Sequence, residues 1–124
     1  MQIHQSAEDY LETILMLNQR MGRVRSIDVV NELGYTKASV SIAMKKLREN
    51  GYIAVDGEGN LTLLEPGREI AERIYSRHRL LTHFFVQLGV EEDIAAEDAC
   101  KAEHILSEQT LEKIREYALL HDAE

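Results

Sequence analysis

The stretch Cys100-Lys101-Ala102-Glu103-His104 holds three side chains able to bind a metal. At i, i+3 and i+4 of a helix, Cys100, Glu103 and His104 share one face. A thiolate, a carboxylate and an imidazole on one face can hold a divalent transition metal. Three further candidates lie upstream. Asp9 and Glu12 stand at i and i+3 of a first helix, and His78 is in register with Ile74 and Leu81 on the apolar side of a long one. An ionisable ring on an apolar stripe needs a partner. Each residue alone has a plainer role. Asp9 and Glu12 can face the positive end of a helix, and His78 can bond a carbonyl. Cys100 can serve as a small core hydrophobe, and Glu103 as solvated surface. A metal site explains all of them with one assumption.

The elements that must position these groups are legible from capping and periodicity. Ser6 is placed to cap a first helix whose apolar side is Tyr10, Leu11, Ile14, Leu15 and Leu17, with Met21-Gly22 as its end. Ser26 is read as the next cap, with Asp28 at the positive helix end and Gly34 closing a short helix. Thr36 caps a third helix through about Asn50, with Val40, Ala43, Met44 and Leu47 inward. Two short helices around Gly34-Tyr35 form a helix-turn-helix pattern. Tyr52–Val55 and Leu61–Leu64 then read as strands joined by the turn Asp56-Gly57-Glu58-Gly59-Asn60, which makes a wing.

Pro66, the only proline, suits the first turn of a long fourth helix with Ile70, Ile74, Leu81, Phe84, Phe85 and Leu88 buried and Gly89 as the break. A fifth helix is expected from about Glu92 to Ile105. Ser107 caps a sixth, with Leu111, Ile114, Tyr117, Ala118 and Leu120 inward. The last two helices carry more apolar surface than short terminal helices need, which points to a homodimer. The fold class is therefore mainly α: a winged helix-turn-helix over residues 1–65, followed by a helical metal-binding and dimerisation domain over 66–124.

Charge is distributed unevenly. The net value is −8, yet residues 91–124 alone hold 11 acidic and 3 basic side chains, while residues 1–90 balance at 11 and 11. Over residues 20–50 seven basic groups (Arg20, Arg23, Arg25, Lys37, Lys45, Lys46, Arg48) face three acidic ones. DNA binding requires a local basic face, not a basic protein. In a winged helix-turn-helix the third helix enters the major groove with its N-terminal half on the base edges. Here that half is Thr36, Lys37, Ala38, Ser39, Ser41 and Ile42. The serines can donate or accept, and Ala38 and Ile42 can touch thymine methyls. Arg25, Lys37, Lys45, Lys46 and Arg48 suit phosphates, which position without specifying. No Asn, Gln or Arg occupies the reading half, so DNA shape is expected to share the work.

At 124 residues and 44% hydrophobic content the chain can bury a modest core. No apolar run approaches a membrane span, and the first residues lack the pattern of a signal peptide. The single cysteine excludes an internal disulfide framework. The expectation is a cytoplasmic protein. No substrate pocket or nucleophile system can be read, so the chain is not expected to be an enzyme. One alternative is a metal-independent winged-helix regulator in which Cys100 is a redox-sensing thiol, which requires exposure and a lowered pKa.

The sequence resembles the diphtheria-toxin-repressor family of metal-dependent regulators, including its manganese-transport-regulator branch. The resemblance lies in Ser6 through Glu12, Ala38-Ser39-Val40-Ser41 through Arg48-Glu49-Asn50-Gly51-Tyr52, Arg77-His78-Arg79-Leu80-Leu81 and Asp98 through His104. It covers essentially the whole chain and implies the short form without the C-terminal SH3-like domain of longer members. It also implies that Glu103, His104 and His78 are ligands, and that Asp9 and Glu12 are ligands as in the manganese-type branch. The iron-type branch has methionine where this chain has Asp9. Cys100, in contrast, matches an iron-type cysteine where the manganese-type branch has glutamate, so the set is a hybrid. The iron-type second site uses a glutamate and a histidine where this chain has Thr82 and Ala96. The implied function is a repressor of metal homeostasis that binds a palindromic operator as a homodimer with iron(II) or manganese(II) as co-effector. A thiolate moves preference from manganese(II) toward iron(II), cobalt(II) or nickel(II), and zinc(II) also binds such donors. Iron(II) is ranked first, with manganese(II) close behind.

Overall fold

The computed structural model describes residues 5–122, so residues 1–4 and 123–124 of the two expected domains lie outside the described residues. The chain divides into two compact units, one through Glu72 and one from Arg73 onward.

In the first unit, α1 (Gln5–Met21) packs on α2 (Ser26–Leu33), α3 (Lys37–Glu49) and strand β2 (Leu61–Leu63). All five apolar residues expected on the inner side of α1 are buried, and Leu11 and Ile14 have no exposed surface. Two caps differ from expectation. Helix α1 already includes Gln5, so Ser6 is an interior residue and not its cap. Helix α2 is capped at Arg25, one residue before Ser26, because Asp28 accepts the Arg25 backbone N–H at 2.9 Å. Asp28 reaches back to that donor as the third helical residue should. Gly34 ends α2 in the left-handed conformation (φ 72°), and its N–H returns to Val30 O at 2.8 Å. Thr36 caps α3 as expected.

Strand β1 (Ile53–Val55) pairs antiparallel with β2, Ile53 opposite Leu63. The loop before α2 extends this wing: Arg25 bridges Asn60, and Leu61 N–H donates to Val24 O at 2.7 Å. Helix α4 (Glu65–Gln87) starts against the strand entry. Leu64 N–H donates to Tyr52 O at 3.0 Å, and a Cβ on Gly67 would lie 2.2 Å from that same carbonyl. Only glycine permits so close an approach of helix and loop.

The second unit holds the rest of α4 with α5 (Glu92–Ala102) and α6 (Glu108–His121). Its core is Leu81, Ala99 and Leu111, against which Leu80, Phe85, Ala102, Leu106 and Ile114 pack. Helix α5 stops at Ala102, three residues before the expected Ile105. Several residues read as inward are exposed: Leu88 at 61%, Tyr117 at 49% and Leu120 at 75%. Leu88 follows the end of α4, and Tyr117 and Leu120 lie on the side of α6 away from Leu111 and Ala118. Together with Val86, Ile105 and Leu119 they leave this unit more apolar surface than its own helices cover.

Candidate metal centre and DNA-binding surface

Glu103 occupies the C-terminal cap position of α5 with helical dihedrals (φ −59°, ψ −23°), its N–H donating to Ala99 O at 2.9 Å. The helix therefore ends in a turn that still keeps helical spacing from Ala99 to Glu103. The Glu103 side chain has no exposed surface. Its Oε2 lies 3.0 Å from His78 Nδ1, and its Oε1 lies 3.4 Å from His104 Nε2. Oε1 makes no hydrogen bond within the structure. The His78 side chain is 21% exposed and that of His104 2%.

A buried carboxylate is costly to hold unless its lone pairs are met. Here one oxygen carries a hydrogen bond. The other faces an imidazole nitrogen at a distance beyond a good one. One carboxylate and two imidazoles suit divalent manganese, iron, cobalt or zinc, so these residues fit a metal ion.

Cys100, the only cysteine, is exposed on α5. The thiol is at the surface and the Glu103 carboxylate is fully buried, yet Cys100 Sγ and a Glu103 carboxylate oxygen lie within 4.8 Å of each other. The reading of Cys100 as a core hydrophobe is excluded by the same observation. On α1, in the first unit, Asp9 is half-buried and Glu12 is 5% exposed. Because α1 includes Gln5, Glu12 lies beyond the first turn, where the helix dipole gives a carboxylate little. The plainer role of a dipole partner therefore does not account for the buried Glu12.

Arg77 is a residue that sequence reasoning passed over. Its Nη1 donates to Glu103 O at 3.2 Å, and its Nη2 pairs with Glu108 Oε1. Its side chain is only 15% exposed. A basic residue directly before His78, on a helix running into an apolar core, was the available signal.

The residues expected to face DNA form a contrasting surface. Helix α3 buries Val40, Met44 and Leu47 and leaves Lys37, Ala38, Ser39, Ser41, Ile42, Lys45 and Lys46 exposed. Ile42 is a large apolar side chain at 58% exposure among polar neighbours. Thr36 Oγ1 accepts the Ser39 N–H at 3.1 Å and donates to Ser39 Oγ at 2.9 Å, so the cap fixes the first turn. Arg25 is exposed and its guanidinium lies beside Gly59 of the wing turn, whose φ is 86°. The turn itself is organised by Asp56, which accepts from Glu58 N–H and Asn60 N–H, each at 2.9 Å.

Residues 2–61 match the iron dependent repressor family's N-terminal DNA binding domain, and residues 64–119 its metal binding and dimerisation domain. An HTH-type transcriptional regulator of Methanocaldococcus jannaschii is 35% identical over 113 residues, covering 90% of each chain. The HTH-type transcriptional regulator MntR of Bacillus subtilis is 33% identical over 109 residues, 88% of this chain and 77% of its own. A solved manganese-dependent transcriptional repressor in complex with manganese superposes with a TM-score of 0.83 at 29% identity. That match covers 90% of this chain and 52% of the other, so this chain spans about half the length of that structure. No helix of the described residues is long and apolar enough to cross a membrane. The chain belongs to the iron-dependent repressor family of metal-dependent DNA-binding transcriptional regulators.

Proposed function

We propose that this protein is a repressor of metal-ion homeostasis whose operator binding is switched on by iron(II) or manganese(II). The observation that carries this reading is the buried Glu103 carboxylate between His78 and His104, in a chain that also presents an exposed basic helix-turn-helix. The proposed ligands are Asp9, Glu12, His78, Cys100, Glu103 and His104. A bound metal supplies positive charge that offsets the repulsion among Asp9, Glu12 and Glu103.

On this reading Asp9 and Glu12 belong to the DNA-binding domain (1–65). His78, Cys100, Glu103 and His104 belong to the metal-binding and dimerisation domain (66–124). Completing one ligand shell from both domains restricts their arrangement. A ligand shifts a conformational equilibrium only through differential affinity, which here comes from a shell complete only in the DNA-competent arrangement. In a two-fold dimer the two α3 helices would stand about 34 Å apart to match a palindrome. Operator DNA would in turn tighten metal binding. Lys37, Lys45, Lys46 and Arg25 would hold phosphates, while Thr36, Ala38, Ser39, Ser41 and Ile42 read the groove.

Carboxylate and imidazole donors favour manganese(II), and the Cys100 thiolate moves the preference toward iron(II). Anaerobic binding to a family-type palindromic DNA with iron(II), manganese(II) or chelator tests the proposal. Binding with either metal and none with chelator is expected. Activation by manganese(II) at lower free concentration than iron(II) would reverse the ranking. Equal binding with chelator would favour a second reading, supported by the exposure of Cys100, in which that thiol senses oxidants and DNA binding needs no metal.

A further inference from the structure

We infer that Arg77 is a positioning residue of the metal centre, holding the chain segment that carries Glu103 and His104. The inference rests on the metal-binding role proposed above for those two residues. Helix α5 ends at Ala102 and α6 begins at Glu108, so Glu103 and His104 stand in the short connection between two helices. Two main-chain bonds, Glu103 N–H to Ala99 O at 2.9 Å and Ile105 N–H to Ala102 O at 3.1 Å, hold the start of this segment, and the carbonyls that follow lack helical partners of their own. The Arg77 guanidinium spans it. One nitrogen donates to the main-chain carbonyl of Glu103 at 3.2 Å, and another pairs with the carboxylate of Glu108 at the first turn of α6. The anchor is α4, where Arg77 directly precedes His78.

One planar, five-donor group on α4, next in sequence to His78, thus ties the main chain of Glu103 after α5 to Glu108 of α6. A guanidinium presents its donors in a rigid fork, whereas an ammonium is a point charge and cannot keep both contacts in the same directions. The Glu103 carbonyl is also one of the terminal carbonyls that α5 leaves without a helical partner. A cation there suits the helix end. A purely structural cap is therefore the rival reading, and the experiment must separate the two.

Partners that orient metal ligands typically alter affinity by about 10- to 100-fold when removed. The test is titration of full-length wild type, Arg77→Ala, Arg77→Lys and Glu108→Gln with cobalt(II) alone, anaerobically and without DNA. The readouts are affinity, the visible cobalt(II) absorption spectrum and the metal-free Tm. A positioning role predicts that Arg77→Ala binds about 10- to 100-fold more weakly with a changed spectrum, that Arg77→Lys does not restore either, and that Glu108→Gln gives a smaller shift in the same direction. Should Arg77→Ala fail to fold by circular dichroism, Arg77→Lys and Glu108→Gln carry the test. A lowered metal-free Tm with wild-type affinity and spectrum would overturn the inference and leave Arg77 as a helix cap. No cobalt(II) binding by the wild type would overturn the metal-binding reading itself, and this inference with it.

Discussion

The exposed face of α3 and the buried cluster around Glu103 place polar groups of the two proposed sites in opposite environments. On α3, Lys37, Ser39, Ser41, Lys45 and Lys46 are all solvent-exposed, and the opposite side of the helix does the packing. Water satisfies these groups in the absence of DNA, so holding them there costs the fold little. Around Glu103 the carboxylate has no exposed surface and the His104 side chain almost none. Those groups are held against a desolvation penalty that only close partners offset. The exposed face suits a ligand recognised by charge over a distance and screened by salt. The buried cluster suits one recognised by short-range coordination geometry.

The largest expected effect comes from the buried side of this comparison. Glu103→Gln keeps the shape and removes the charge. Metal affinity is expected to fall by about 100-fold or more, at or beyond the top of the range seen for residues that only orient ligands. The rise in Tm on adding manganese(II), which reflects binding to the folded state alone, should disappear. Calorimetric titration and a thermal melt with and without the metal measure both. A variant that keeps wild-type affinity would remove Glu103 from the ligand set, and the buried cluster would have no ligand of its own to set against the α3 face.

The exposed side predicts the reverse pattern. Lys45→Ala and Lys46→Ala should change folding stability by no more than about 0.5 kcal/mol, as for other surface substitutions away from special features. DNA-free metal affinity should be unchanged. Operator affinity should fall similarly across DNA sequences, and the slope of log affinity against log salt should decrease by about 1 for each lost phosphate contact. A fluorescence-anisotropy series at several salt concentrations reads this directly. An unchanged slope would assign the phosphate contacts to other residues, with Arg25 and Lys37 next to be tested.

The same division decides what could be read from the sequence. Thr36, Gly34 and Ser107 were legible as helix boundaries because a cap depends on a few neighbouring residues. The two wing strands followed from a turn rich in Gly, Asp and Asn between apolar runs, though Tyr52 and Leu64, read as strand ends, lie just outside the observed Ile53–Val55 and Leu61–Leu63. Ser26 misled because Asp28 could serve a cap at either residue, and its hydrogen bond goes to Arg25 N–H. The inward reading of Tyr117 and Leu120 failed because a helical stripe does not say how much of its width the chain itself covers. The joining of His78 to Glu103 was suggested by residue types, but the Arg77 contact spans 26 residues and its acceptor is a main-chain carbonyl. Nothing in residue identity marks a carbonyl as an acceptor, so the position of Arg77 beside His78 signals a basic residue near the site but not the partner it takes.

Asp56 lies between the two regimes and gives the smallest expected effect. It is exposed like the α3 lysines, yet its carboxylate is engaged like that of Glu103. The Asn60 side chain donates to it at 3.0 Å, and the backbone N–H groups of Asn60 and Glu58 donate at 2.9 Å each. The Asn60 side-chain hydrogen bond, followed by that of the Asn60 backbone, holds its pKa below the usual 3.8. A carboxylate whose pKa is lower in the folded state stabilises that state above the unfolded pKa. That contribution is lost as pH falls through the folded value. Near neutral pH the wing turn should therefore be insensitive to pH. The amide resonances of Glu58 and Asn60 should move only in the acid range, with a midpoint below 3.8. Asp56→Asn should abolish this acid transition while leaving the metal titration unchanged, because Asp56 belongs to the wing and not to the ligand set. A midpoint at or above 3.8 would show that the hydrogen bonds to ionised Asp56 do not shape the turn. The wing would then belong with the α3 surface, where water alone satisfies the exposed groups.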